Sequence, residues 1–351
     1  MQNFCVKALS DIHSSDELYE VLKNVQVDSP LCSYTKERCS RLYPLIKDIK
    51  ELKKQKNALI LAHSYVHPDI IYGVADHTGD SYGLSLKARD STEDIILFPS
   101  VRFMAETAKI LNPSKTVIDP NPNGGCSLAE SIDAAMVRTL REKHPHHTFV
   151  CYINTTADVK AECDVCVTSS NVYKIIEALP TDKIYFLPDT LMGKNLQKYL
   201  ADKKIDKELL VYTDGSCYVH ESFDEHQVQL LKQKHPNLKV LAHPECSPAV
   251  VAEAEMVSST TGLLDHITTH AKESDLYLLL TECGIAGRLK VERPDIQLVG
   301  LCMMCKYMKS NHLEHIKQAL ENPRDEQFVE IASDIQKRAL SCIEAMFRYA
   351  I

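Results

Sequence analysis

One period dominates this chain. The segments LAHSY at 61–65, CYINT at 151–155 and LAHPE at 241–245 each close a short apolar run, and the steps from His63 to Tyr152 and from Asn154 to His243 are both 89 residues. Hydroxyl-rich segments follow at Ser81, Ser169 and Ser259, at steps of 88 and 90. Met104 in FMAETAKIL and Met192 in LMGKNLQKY stand 88 apart. Cys126, Cys217 and Cys305 close the series at steps of 91 and 88. A period this long describes not a solenoid but one supersecondary unit used three times. Chance spacing of short apolar runs is the competing explanation.

The apolar runs set the class. ALILA at 58–62, DIILF at 94–98, TVI at 116–118, TFVCYI at 148–153, IYFL at 184–187, LLVY at 209–212, KVLA at 239–242, LYLLL at 276–280 and IQLVG at 296–300 alternate with helical patterns. Such runs read as parallel strands covered by helices on both faces. The expected fold class is α/β: three homologous three-layer αβα domains with short parallel sheets, pseudo-threefold around a central site. Residues 1–47 are expected to form an N-terminal extension and the start of a packing helix. The first unit spans 48–130, the second 131–220, and the third 221–351 together with C-terminal helices.

Composition excludes several functions. The balance of 40 Lys and Arg against 48 Asp and Glu leaves a net charge of −8, which repels a polyanion, so no nucleic-acid partner is expected. No run approaches the ~20 apolar residues that span a bilayer, and the Gly-rich nucleotide loops are absent. The N-terminus shows no basic segment followed by an apolar run, so no secretory signal and a cytoplasmic location are expected. There, 13 cysteines read as core fillers or metal ligands rather than a disulfide framework.

Functional residues in open parallel sheets gather where strand ends meet helix starts. Three such edges around one axis would bring Cys126, Cys217 and Cys305 together. Three thiolates suit a 4Fe–4S cluster whose fourth iron, lacking a protein ligand, serves as a Lewis acid. Cys5, Cys32, Cys39, Cys151, Cys246, Cys283 and Cys342 read as small buried hydrophobes. The pairs Cys163–Cys166 and Cys302–Cys305 leave open a four-cysteine zinc scaffold, or a non-catalytic iron–sulfur or redox-sensing protein. Ser81, Ser169, Ser259 and Thr260 stand where helix starts hold anions, or simply cap. His63 and Tyr65, Tyr152 and Asn154, and His243 and Glu245 lie two apart, so each pair projects to one side of its strand end as proton donors and acceptors. Asp80, Glu106, Lys109, Lys160 and His220 are secondary candidates.

With these residues in hand, the sequence resembles the quinolinate synthase family, iron–sulfur enzymes of NAD biosynthesis. The resemblance rests on AHSYVHPDI, GDS, VRFMAETAKIL, GCSLAE, YINTTADVKAECD, TSSN, GSCYVHESF, HPEC, SSTT and the CxxM at Cys305–Met308. It implies condensation of iminosuccinate with dihydroxyacetone phosphate into quinolinate, with loss of phosphate and water. A 4Fe–4S cluster on Cys126, Cys217 and Cys305 is implied, the last preferred over Cys302 by the CxxM pattern. Substrate contacts are implied at His63, Ser81, Tyr152, Asn154, Ser169, His243, Glu245 and Thr260, and proton transfer at Tyr65 and Glu245, with His63, Tyr152 and His243 beside them. An aspartate-oxidising enzyme is the implied source of iminosuccinate. Ser64 and Ser258 depart from the family pattern, as does the missing aromatic before Cys217.

Overall fold

The computed structural model describes residues 12–25, 33–300 and 302–350; Cys5 and Cys32 lie outside these. Its strands form three four-stranded sheets with one repeated order. In the first, β1 (Ala58–His63) and β3 (Ile95–Leu97) are central, flanked by β2 (His77–Gly79) and β4 (Thr116–Ile118), in the order β2-β1-β3-β4. The second uses β5 (Thr148–Tyr152), β6 (Val165–Val167), β7 (Lys183–Leu187) and β8 (Glu208–Val211) in the order β6-β5-β7-β8. The third repeats it with β9 (Lys239–Ala242), β10 (Met256–Val257), β11 (Leu276–Leu280) and β12 (Gln297–Val299) as β10-β9-β11-β12. Every pairing between these strands is parallel.

Sequence reading finds nine of these strands and misses the edge strands β2, β6 and β10. β2 reads HTG and has no apolar residue, β10 holds only two residues, and β6 is a three-residue VCV with no longer apolar run around it. The apolar runs are continuous because both sheet faces are covered. In the third sheet, Val240, Ala242, Leu278 and Leu280 pack into a small separate cluster with Phe223 and Val250, while Leu241, Tyr277 and Leu279 join the main core. That alternation is the period of two expected of a strand with helices on either side.

Helices fix the ends of the chain to the units. In α2 (Lys36–Gln55), Ile46 and Ile49 are fully buried and the helix packs on β1. The helix α1 (Ser15–Leu22), capped by Ser14 Oγ accepting from Glu17 N–H at 3.1 Å, buries Leu18 and Leu22 against α2. At the other end, α16 (Leu313–Glu321) lies on α2, and α17 (Ser333–Tyr349) lies on α7 (Ala157–Ala161) and β6 of the second unit. Among the described residues, no helix is long and apolar enough to cross a membrane.

Candidate active site

The strand ends of the first and third units are built alike. Past β1, the Tyr65 amide donates to His63 Nδ1 at 3.2 Å; past β9, the Glu245 amide donates to His243 Nδ1 at 3.4 Å. An accepting Nδ1 leaves the proton of a neutral imidazole on Nε2. Burial pushes both imidazoles down to about 3. Both rings are therefore neutral Nε2–H donors at physiological pH.

Glu245 is the hub of the site. Its Oε1 accepts from Tyr152 O–H at 2.5 Å, and its Oε2 lies 3.1 Å from His220 Nδ1. Burial alone would push this carboxyl up, but the neighbouring His220 and His243, with hydrogen bonds from His220 and Tyr152, outweigh it and hold it well below the usual range. His220 stacks on His243 with centroids 4.5 Å apart, and its Nε2 lies 3.3 Å from Thr281 Oγ1. Thr281 Oγ1 and Thr260 Oγ1 both lie 2.8 Å from Tyr65 O–H. A continuous hydrogen-bonded chain thus runs from Tyr152 through Glu245, His220 and Thr281 to Tyr65 and Thr260. Burial pushes both phenols well up, so the carboxylate is the ionised group of this chain and the phenols stay protonated.

The three cysteines sit at equivalent turns. Cys217 precedes the one-turn helix α10 (Tyr218–Glu221), Cys305 precedes α15 (Lys306–Lys309), and Cys126 opens a similar turn in which Glu130 N–H returns to its carbonyl at 3.0 Å. Burial pushes the Cys126 thiol up to about 12 and raises Cys217 and Cys305 as well. Against it act amides from each turn: Leu128 and Ala129, His220, and Tyr307 with Met308. Such amides are the donors that a metal-bound thiolate accepts. Carboxylates anchor two of the turns, Glu130 Oε1 accepting the Cys126 amide at 3.2 Å and Glu282 Oε1 the Cys305 amide at 3.1 Å. Lys309 Nζ pairs with Glu282 at 3.2 Å. Cys126, Cys217 and Cys305 line one cavity, and no fourth cysteine lines it among the described residues. The donor set fits a cluster held by three thiolates. A tighter group, Cys217 Sγ, His220 and Glu245, has its ligand atoms within 4.8 Å of one another, but it would leave Cys126 and Cys305 without partners.

His63, Tyr65, Ser81, Tyr152, Asn154, Ser169, His243, Glu245 and Thr260 all line this same cavity, as do Asp80 and His220. Glu106, Lys109 and Lys160 do not. Glu106 accepts the Ala157 amide at 2.8 Å, and Lys109 donates to the Lys115 carbonyl at 3.0 Å. Ser81 is not the cap of its helix. Asp80 is: its Oδ1 accepts Gly83 N–H at 3.0 Å at the start of α4 (Ser81–Arg89), because a carboxylate one residue earlier reaches the free amides first. Ser259 does cap α13 (Thr260–His270), accepting Gly262 N–H at 3.2 Å, and its hydroxyl donates to Asp80 Oδ2 at 3.1 Å. Two caps therefore bind each other across the first and third units. The two CxxC pairs do not meet: Cys163 and Cys166 flank Cys151 in the second unit, whereas Cys302 lines a neighbouring cavity with Cys283. Sequence reading missed Thr281 and Glu282. Their signal was the same overlay one strand further on, where Ser100, Asp189 and Glu282 follow β3, β7 and β11 at steps of 89 and 93.

Comparison with known proteins agrees with this geometry. The family model described as "Quinolinate synthetase A protein" matches residues 47–348. The quinolinate synthase of Xylella fastidiosa (strain Temecula1) is 42% identical over 301 residues, covering 86% of this chain and 86% of that protein. That of Aquifex aeolicus is 41% identical over 319 residues, covering 89% and 95%. That of Clostridioides difficile is 42% identical over 308 residues, covering 87% and 98%. With sequence, fold and site in accord, the chain belongs to the quinolinate synthetase A family and is an enzyme.

Proposed function

We propose that this enzyme condenses iminosuccinate with dihydroxyacetone phosphate, closing the pyridine ring of quinolinate and releasing phosphate and water, in the cytosol. Atoms balance without an oxidant or reductant, so the reaction calls for proton transfers and charge stabilisation rather than electron transfer. The observation that carries the reading is the hydrogen-bonded chain through Glu245, which lines one cavity together with three thiols drawn from three units.

Cys126, Cys217 and Cys305 would hold a 4Fe–4S cluster, which supplies Lewis-acid stabilisation of negative charge when bound. The chain's own residues do the remainder. The starts of α4 and α13 face the cavity with Ser81 and Thr260, presenting amides and hydroxyls to the carboxylates and phosphate of the substrates. His63 and His243 orient substrate oxygens through Nε2–H without contributing charge. Glu245 removes a proton and returns it as acid, with Tyr152 setting its basicity; Tyr65 holds a proton at the far end of the chain. Enclosure between the units protects the imine from hydrolysis. An aspartate-oxidising enzyme would supply the imine. We propose the same division of the chain as before, into units at 48–130, 131–220 and 221–351.

The test is an anaerobic assay of purified protein with iminosuccinate, generated in place, and dihydroxyacetone phosphate. Quinolinate is the expected product. Iron-loaded protein that releases phosphate without forming quinolinate would overturn the reading.

A further inference from the structure

We propose that Cys151, Cys163, Cys166 and Cys342 form a second metal site, a buried tetrathiolate that takes one zinc ion and ties the C-terminal helix α17 to the second unit. Nothing in the proposed reaction uses these four side chains, and the proposal does not depend on it.

Three elements bring the sulfurs together. Cys151 on β5 and Cys166 on β6 are direct register partners on neighbouring parallel strands, so their side chains emerge on the same face. Cys163 precedes Cys166 with the CxxC spacing common in zinc modules. Cys342 comes from α17, and its Sγ lies 3.7 Å from Cys151 Sγ. Tetrahedral zinc with Zn–S bonds of about 2.3 Å sets its sulfurs roughly 3.8 Å apart. Cys163 and Cys166 neighbour Cys151 as well, each interacting electrostatically with its thiol. All four residues are buried, at 0, 7, 0 and 1% exposure.

A second, independent observation is the charge beside them. Lys160 is fully buried, and its Nζ donates to the carbonyls of Ile153 (2.8 Å) and Thr155 and to Thr155 Oγ1. Among the described residues no carboxylate lies within 4.0 Å of it; Glu106 feels its charge from farther off, and so do Cys151 and Cys166. A buried cation without a close counter-ion is costly. Zinc with four thiolates carries a net charge of −2 and supplies one. Binding is balanced as one Zn2+ replacing four thiol protons, which leave to solvent. No three of the four sulfurs lie mutually within 4.8 Å. The ion draws the outer thiols inward by side-chain rotation.

Zinc and iron are to be measured in the same anaerobically purified, full-length protein expressed with added zinc, together with X-ray absorption at the zinc edge. About one zinc per chain with four sulfur neighbours at about 2.3 Å is expected. Cys342→Ser should lose zinc and keep iron, and Cys217→Ser should do the reverse. Protein without bound zinc overturns the proposal, as does a mixed sulfur, nitrogen and oxygen shell, which places the ion at Cys217, His220 and Glu245. If Cys342→Ser does not fold, the absorption spectrum of the unaltered protein decides alone.

Discussion

The first and third units share a strand-end design that the second does not. In both, a histidine that lines the cavity accepts the amide two residues further on through its Nδ1. In the second unit the equivalent position is Tyr152, whose phenol reaches across to Glu245. Its turn is held differently, by Thr155 Oγ1 donating to the Tyr152 carbonyl at 3.0 Å and by Lys160 on the carbonyls beyond. Three copies of one sheet supply three equivalent positions, and the proposed chemistry rests on breaking that equivalence. Two neutral donors face one phenol–carboxylate pair.

That contrast can be broken by experiment. Glu245→Gln removes the site's ionised base, so kcat is expected to fall roughly 10²- to 10⁴-fold with iron content unchanged; unaltered turnover would erase the distinction between the second and third strand ends. Tyr152→Phe removes one hydrogen bond to a charged group, about 1.5–3 kcal/mol or roughly 10- to 100-fold in kcat. Because that bond favours the carboxylate, its loss should move the acid limb of the pH–kcat profile to higher pH. Asp80→Ala deletes both a helix cap and the hydroxyl contact that joins the two similar units. A stability loss of about 1–2 kcal/mol in thermal unfolding is expected, and no loss would show that the contact is incidental.

The paired histidines carry a test by pH. Their folded values near 3 lie below the ordinary ~6.5. The unfolded chain therefore binds protons first, and the stability tied to the neutral rings is present above pH ~6.5 and lost as pH falls toward 3, by about 1.4 kcal/mol per unit for each ring. Imidazole resonances of His63 and His243 should stay in the neutral form from pH 8 to 5 in an NMR titration. A midpoint near 6.5 for either ring would contradict its burial as a neutral donor.

Much of this site is legible in the sequence because it is repeated. His63, Tyr152 and His243 recur at steps of 89 and 91, and Cys126, Cys217 and Cys305 at 91 and 88, so a simple overlay puts the strand ends and thiols at nearly equivalent places. Where the period drifts, the signal fades: Glu282 follows Asp189 by 93 residues rather than 89 and went unread. Asp80 was overshadowed by Ser81, since hydroxyl patterning does not show which neighbour reaches the helix amides. Cys151 and Cys342 meet across 191 residues, and neither cysteine recurs at the equivalent place in another unit. Only the packing of α17 on the second unit brings them together.

The central claim is that thiols from three units meet at one iron–sulfur centre. Iron and sulfide analysis of anaerobically purified protein, with Cys302→Ser and Cys305→Ser in parallel, tests it most directly. About four iron and four sulfide per chain are expected, retained in Cys302→Ser and lost in Cys305→Ser. A full complement of iron and sulfide in the Cys305 variant would contradict it.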